Sequence, residues 1–252
     1  MTDNNVQASG QAAVWEDSPY RFEVEFGLSN ERQRQLQPEL VKLVHENFIN
    51  HPDYDAEYTS EFMQSDIFMR ALGHGHLDGI FTADLLHVNG RPVLHLILAM
   101  VASHDRSGGQ LMKDSMGLML DLAAQAFGTD NFYVGVRTAN PRVVAELWHS
   151  PWVRYYPRMD DWAGDPVLAE LRQQFSAQAF PGHRCDDGCA IYYNIYPTSP
   201  WEGEIPWHHD ERVNDFWRKH LHPQGLDAFL FMGPTTPPFE GVSRGRITYP
   251  RK

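Results

Sequence analysis

From Tyr20 to Phe26 the chain alternates Tyr, Phe, Val and Phe with Arg and Glu, the period-two pattern of a strand with one buried face. Ser29 then offers an N-cap for a helix over Glu31 to Phe48, where Leu36, Leu40, Leu43, Val44 and Phe48 recur at three- and four-residue spacing. Pro38 falls early enough to sit in or near the first turns of that helix. Similar spacing of Phe62, Ile67, Phe68 and Leu72 predicts a second helix over Thr59 to Leu72, ended by Gly73, and Gly73-His74-Gly75-His76 reads as a turn. Two apolar runs follow, Leu77 to Val88 and Arg91 to Ser103, joined by Asn89-Gly90. Both joining residues tolerate positive φ, so the runs are expected to pair as an antiparallel hairpin. In the second run Val93, His95, Ile97, Ala99 and Val101 share one face, and Leu94, Leu96, Leu98 and Met100 the other. That pattern predicts a central strand covered on both sides.

After a break at Ser107-Gly108-Gly109, a helix is expected from about Gln110 to Phe127, ending at Gly128. Asn131 to Arg137 reads as a strand, and Asn140 caps a helix that opens on Pro141 and runs to about His149. The last hundred residues are less regular. They predict a helix from Pro166 to Phe180, a loop containing Cys and Gly, a strand from Ala190 to Tyr196, a helix from His209 to His222 and a strand from Asp227 to Met232. Strands and helices in this order imply a single α/β domain with a mixed sheet over residues 16–252, behind a loose tail of residues 1–15.

Composition narrows the function. With 252 residues, 42% of them hydrophobic, the chain can bury a genuine core, which excludes disorder throughout. The formal charge of −12 argues against nucleic acid or an anionic membrane as the main partner. Residues 1–70 hold 13 acidic and five basic side chains, which favours a cationic partner there. Val93 to Ala102, the longest apolar stretch, is about half the roughly 20 residues a membrane helix needs. Met1 to Val14 lacks the pattern of a signal peptide. Cys185 and Cys189 are too few for a disulfide framework of the small secreted kind, so a soluble, cytoplasmic protein is expected.

The segment with the most chemistry is the strand, glycine-rich turn and helix over Leu94 to Phe127. A strand that ends in glycines and feeds a helix leaves backbone N–H groups free, here from about Gly108 to Met112, at the positive end of the helix dipole. A phosphate binds well in such a place. Neither a Gly-Lys-Ser/Thr sequence nor a correctly spaced third glycine follows, so the Walker and dinucleotide patterns are both absent.

In Val101-Ala-Ser-His-Asp-Arg106-Ser-Gly-Gly109-Gln-Leu111 and in Asn140-Pro-Arg-Val-Val-Ala-Glu-Leu-Trp148 the sequence resembles the GNAT superfamily of acyl-CoA N-acyltransferases. The resemblance covers about residues 77–150 by motif and 20–76 by element order, and Leu226 to Gly233 resembles the closing strand loosely. It implies a GNAT-like α/β fold, a mixed central sheet flanked by helices, with residues 151–225 as an insertion or C-terminal extension. It also implies acetyl-CoA or another acyl-CoA as cofactor. Val101 and Ser103 would line pantetheine, Arg106, Gly108, Gly109, Gln110 and Leu111 would hold phosphate, and Asn140 would face the cofactor. Leu111 stands where the family prefers a second Gly or Ala, and Leu147 where it often carries an acidic tyrosine.

Direct acyl transfer to an amine needs a base and an acid, or water in their place. His95 on the central strand suits a base, a packed histidine being the alternative. Asp84 and His87 on the paired strand are further base candidates. Tyr155 and Tyr156 could replace the missing acid, or simply pack. Lys113 and Arg142 could add to phosphate binding, or be solvated surface charges. His183, Cys185, Cys189, His208 and His209 lack the usual spacing of a zinc site, and His208-x-Asp210 lacks the third ligand of a facial triad. No metal site is therefore assigned. The aromatic segment around Trp201, Trp207 and Trp217 reads as a lid, a homodimer contact or plain packing. The leading expectation is transfer of an acetyl or short acyl group from coenzyme A to a small-molecule amine. The alternatives are a GNAT-like binding or regulatory protein that has lost transfer, and a metal-dependent enzyme using the His-rich last third.

Overall fold

The structure, a computed structural model, describes residues 11–15, 19–47, 59, 62–73, 75–102, 109–186, 188–196, 201, 204–223, 225–237 and 239. Eight strands form one sheet in the order β1-β2-β3-β4-β5-β6-β8-β7. The strands are β1 (Gln11–Trp15), β2 (Arg21–Phe26), β3 (Ile67–Gly73), β4 (His76–Val88), β5 (Arg91–Val101), β6 (Tyr133–Thr138), β7 (Ile191–Tyr192) and β8 (Ala228–Pro234). The helices are α1 (Asn30–Asn47), α2 (Gln110–Phe127), α3 (Pro141–Trp148), α4 (Pro166–Ala179) and α5 (Glu211–His220). Pairing is antiparallel from β1 to β4, while β5 and β6 run parallel, so the sheet is mixed as expected. The turn between β4 and β5 has Asn89 and Gly90 at φ 50° and 75°, the two successive positive values a tight hairpin turn requires.

The chain divides into two compact units, with boundaries through β4, β5 and α2. In the first, which includes residues 11–84 and 97–121, α1 buries Leu36, Leu40, Leu43 and Val44 against Phe68, Ile80, Leu98 and Met100. These leucines lie three or four residues apart, which turns a polar helix into one with a single apolar stripe. Pro38 is inside α1 rather than in its opening turns, so the carbonyl of Arg34 has no helical N–H to accept.

Two expectations change in this unit. Gln11–Trp15, assigned to the tail, forms β1 and pairs with β2. The helix expected over 59–72 is present at Thr59, Phe62 and Met63 but gives way from Ile67 to β3, in register with β2 (Val24 opposite Met69) and β4 (Met69 opposite Phe81). β3 lies between two strands and buries Ile67, Phe68 and Met69 in succession, so its apolar run carries no alternation to tell strand from helix. Arg70 on β3 bridges Glu23 on β2 and Glu39 on α1, which holds much of the local acidity in ion pairs.

The second unit covers residues 85–96 and the described residues from 122 to 239. β8 is its spine. One edge pairs with β6, and the other is shared by β7 and an extended segment in which Val153 lies opposite Thr235 and Tyr156 opposite Met232. Phe229 stacks on Phe216 of α5 at 5.3 Å between ring centroids, and Phe216 meets Trp148 of α3 edge-on at 4.8 Å. Packing therefore accounts for much of the aromatic character of the extension. The buried Trp217 indole donates to the carbonyl of Ala139 at 2.6 Å, just before α3 begins. Trp217→Phe leaves that carbonyl unsatisfied and is expected to lower unfolding stability by about 1–2 kcal/mol, readable from urea midpoints.

Candidate functional site

β5 changes character halfway along. Val93 to Leu96 pair in parallel with Tyr133 to Val136 of β6, whereas Ile97 to Val101 have no β6 partner among the described residues. The two-sided cover expected from the sequence holds only for the first half. In the second half Leu98 and Met100 are buried under α1, but Ala99 is exposed and Ile97 and Val101 are half-buried. The carbonyl of Val101 accepts from the Asn47 side chain of α1 at 3.2 Å, and the N–H of Ala102 donates to Asp78 of β4 at 2.7 Å.

At the start of α2, Gly109 has φ 64° and an exposed position with nothing within 4 Å of where a Cβ would project. Its carbonyl accepts the first helical bond, from Lys113 N–H at 3.1 Å, so the N–H groups of Gln110, Leu111 and Met112 have no helical acceptor. Leu111, whose side chain would crowd a phosphate if it faced outward, is only 2% exposed and contributes its backbone alone. The first turn contains no acidic residue. Gln110 is exposed and reaches the Asp114 carboxylate at 2.6 Å. Amides with no helical acceptor, an open glycine and a first turn free of acidic residues form, among the described residues, a donor set that fits the pyrophosphate of coenzyme A. Arg106 and Gly108, also assigned to this turn, and Ser103, assigned to the pantetheine arm, lie outside the described residues.

The remaining assigned residues belong to the second unit. The Asn140 side-chain oxygen accepts from Arg142 N–H at 2.9 Å, so it caps α3, with Pro141 in the first position. His95 is packed edge-on against Phe175 at 5.0 Å and Phe180 at 5.3 Å. Burial, aided by the Arg137 charge, lowers its pKa to about 3, which removes it as a base near neutral pH and gives it a packing role. Folded His95 thus refuses the proton that the unfolded chain accepts near pH 6.5. Its contribution to stability is complete above that pH and is lost as pH falls towards 3. The expected slope is up to about 1.4 kcal/mol per pH unit. Urea midpoints at neutral and acid pH are expected to separate less in His95→Phe than in the wild type; parallel curves would contradict the buried neutral ring.

Tyr155 is fully buried, its hydroxyl has no partner among the described residues, and burial pushes its pKa well above the ordinary tyrosine range. A proton donor needs access to the atom it serves, so this hydroxyl is no acid for a leaving thiolate. Tyr156 exchanges two backbone bonds with Met232, each 2.9 Å, and lies beneath the Arg154 guanidinium. It too packs. Leu147 is buried, and Trp148 donates to the carbonyl of Pro157 at 2.8 Å. Asp84 accepts the N–H of Asp66 at 3.2 Å, and His87 meets Phe127 edge-on.

No protein-family model matches the chain, and no curated protein sequence does. Among solved structures, the chain is similar to aminoglycoside 6'-acetyltransferase type Ii, at 18% identity and a TM-score of 0.40 over 55% of this chain and 89% of that one. It is also similar to Ard1 from Thermoplasma volcanium, at 10% identity and a TM-score of 0.40 over 86% and 99% of the two chains. A third is ribosomal-protein-alanine N-acetyltransferase from Brucella melitensis biovar Abortus 2308, at 16% identity and a TM-score of 0.39 over 56% and 99%.

Cys185 and Cys189 form a disulfide, which removes both from any thiolate ligand set. Among the described residues no three His, Cys, Asp or Glu side chains come together to hold a metal, and no helix is long and apolar enough to cross a membrane. Sequence reading missed Arg172, which is fully buried on α4 with one nitrogen on the Ala163 carbonyl at 3.0 Å and two without a partner among the described residues. The signal was present, because Arg172 follows Leu168 by four residues and precedes Phe175 by three, on the apolar stripe. Also missed was a groove of about 450 Å³ formed by Arg142 and Glu146 of α3 with Trp207, His208 and His209. Its two sides are some sixty residues apart in sequence, and nothing in either announces the other.

Proposed function

We propose that this chain is a GNAT-type N-acyltransferase that transfers an acetyl or short acyl group from coenzyme A to a small-molecule amine. The observation that carries the proposal is the second half of β5. Among the described residues it has no β6 partner, it exposes Ala99 and leaves Ile97 and Val101 half-buried, and it precedes the amides at the start of α2 that have no helical acceptor. A free strand edge suits an extended amide-bearing arm, and the helix start suits its phosphates. The sequence motifs at Val101–Leu111 and Asn140–Trp148 support the same assignment.

Acyl-CoA, when bound, supplies an activated acyl thioester. The chain would contribute anchorage: Gln110, Leu111 and Met112 N–H groups on the phosphate, and β5 alongside the arm, so that proximity supplies much of the rate. Since His95, Tyr155 and Tyr156 are committed to packing, proton transfer would fall to water or to the acceptor's surroundings. Calorimetry with acetyl-CoA tests the reading, and the absence of binding at millimolar concentration overturns it. The commitment of those three residues also favours a second reading, a CoA-binding protein without transfer. Thiol release from acetyl-CoA in the presence of an amine separates the two, since only a transferase produces it.

A further inference from the structure

The groove beside α3 has an unusual charge arrangement. Arg142 and Glu146 are four residues apart on one helix face, close enough to pair, yet no ion pair joins them among the described residues. Arg142 is held otherwise: its Nε donates to the carbonyl of Trp207 at 3.3 Å, which leaves the terminal nitrogens for another acceptor. Trp207 is itself fixed, edge-on to Trp217 at 5.4 Å and beneath the Arg218 guanidinium at 4.6 Å. His208 accepts the N–H of Asp210 on Nδ1 at 3.1 Å, so in the neutral ring the proton is on Nε2, a second donor on the groove wall.

A cation and an anion about one helical turn apart, next to a fixed indole and an imidazole donor, are complementary to a ligand that carries both charges and an apolar body. We infer that this groove binds an α-amino acid with an apolar side chain. Arg142 and His208 hold the carboxylate, Glu146 holds the ammonium, and Trp207 covers the side chain. The groove, of about 450 Å³, is open to solvent on one side, so a ligand of this kind would keep part of its surface exposed. The inference rests on the acyltransferase reading only in making the bound amine the acyl acceptor; the binding itself does not require coenzyme A.

Three probes with one aromatic ring test it: L-phenylalanine, phenethylamine, which lacks the carboxylate, and 3-phenylpropionate, which lacks the amine. Titration followed by tryptophan fluorescence and calorimetry is expected to rank phenylalanine at least about tenfold tighter than either analogue. Arg142→Gln is expected to remove the advantage over phenethylamine, and Glu146→Gln the advantage over 3-phenylpropionate. Both side chains are exposed, so thermal midpoints are expected to remain within a few degrees of the wild type. Equal affinities for the three probes, or a preference untouched by either substitution, would overturn the inference. Acetyl-CoA titrated separately keeps the two questions apart: normal CoA binding with no probe selectivity rejects the groove alone, and selectivity without CoA binding rejects the transferase reading alone.

Discussion

Gly233→Ala is expected to lower stability by about 4 kcal/mol or more, among the largest effects available to a single methyl group. The reason lies in the second edge of β8. The N–H of Arg154 donates to Pro234, and Tyr156 and Met232 exchange bonds in both directions, so residues 154–156 are drawn tightly along the strand. Between these contacts a Cβ on residue 233 would overlap the carbonyl of Arg154 and lie 2.9 Å from the Cα of Tyr155. All the atoms it meets are backbone. Relief requires breaking hydrogen bonds whose partners are buried, as Met232 and Tyr156 are. Gly135 is the natural control, because its Cβ would meet Phe175 Cζ at 3.2 Å and Met232 Cε at 3.3 Å, side-chain ends that can move. Gly135→Ala is expected to cost less than about 1.5 kcal/mol. Urea unfolding of the two variants decides the matter, and equal losses would show that residues 154–156 are not packed as described.

For the proposed cofactor site the largest effect is expected from Gln110→Glu, with affinity for acetyl-CoA falling by about thirtyfold or more. A single charge about 5 Å from a phosphate contributes roughly 3 kcal/mol at an effective dielectric constant near 20. The same substitution is mild for the fold. A carboxylate in the first turn of a helix is favourable by about 0.3–1 kcal/mol, offset by a few tenths from repulsion with Asp114 four residues on. Weak binding with an unchanged thermal midpoint is therefore the signature of an anion site at the start of α2. Gln110→Lys is expected to act oppositely and tighten binding. If calorimetry gives all three proteins the same affinity, the phosphate is not at that helix start and the proposed function loses its main support.

Both predictions depend on elements of differing legibility. α1, α2, α3 and α4 could be placed from the spacing of their apolar residues, with Asn140 and Pro141 marking one start, and Asn89-Gly90 marked the hairpin. β3 was not readable, because Ile67, Phe68 and Met69 are buried in succession, on both faces of the strand, and the run loses its period. β1 pairs only with β2, and its five residues are too few to carry a period of their own. Within the site, the run from Gly109 to Met112 was legible as a helix start with free amides, which is a local property. His95 was legible only as a central-strand residue. Its neighbours Phe175 and Phe180 arrive from α4 and the residue after it, about eighty positions away, and those rings set its burial and its depressed pKa.

By itself, then, the sequence determined what depends on neighbours within a few residues: helix stripes, capping, the positive-φ turns, and the glycine-to-helix junction with its donor amides. Tertiary structure decided what depends on which strands pair and where pairing stops. Among the described residues it left the end of β5 without a β6 partner, turned Leu111 inward, committed His95 and Tyr155 to the core, and brought Trp207 to Arg142. Backbone geometry and hydrogen bonding act along the chain and so are written locally. Burial and charge environment are set by residues distant in sequence, and only the assembled fold brings them into contact.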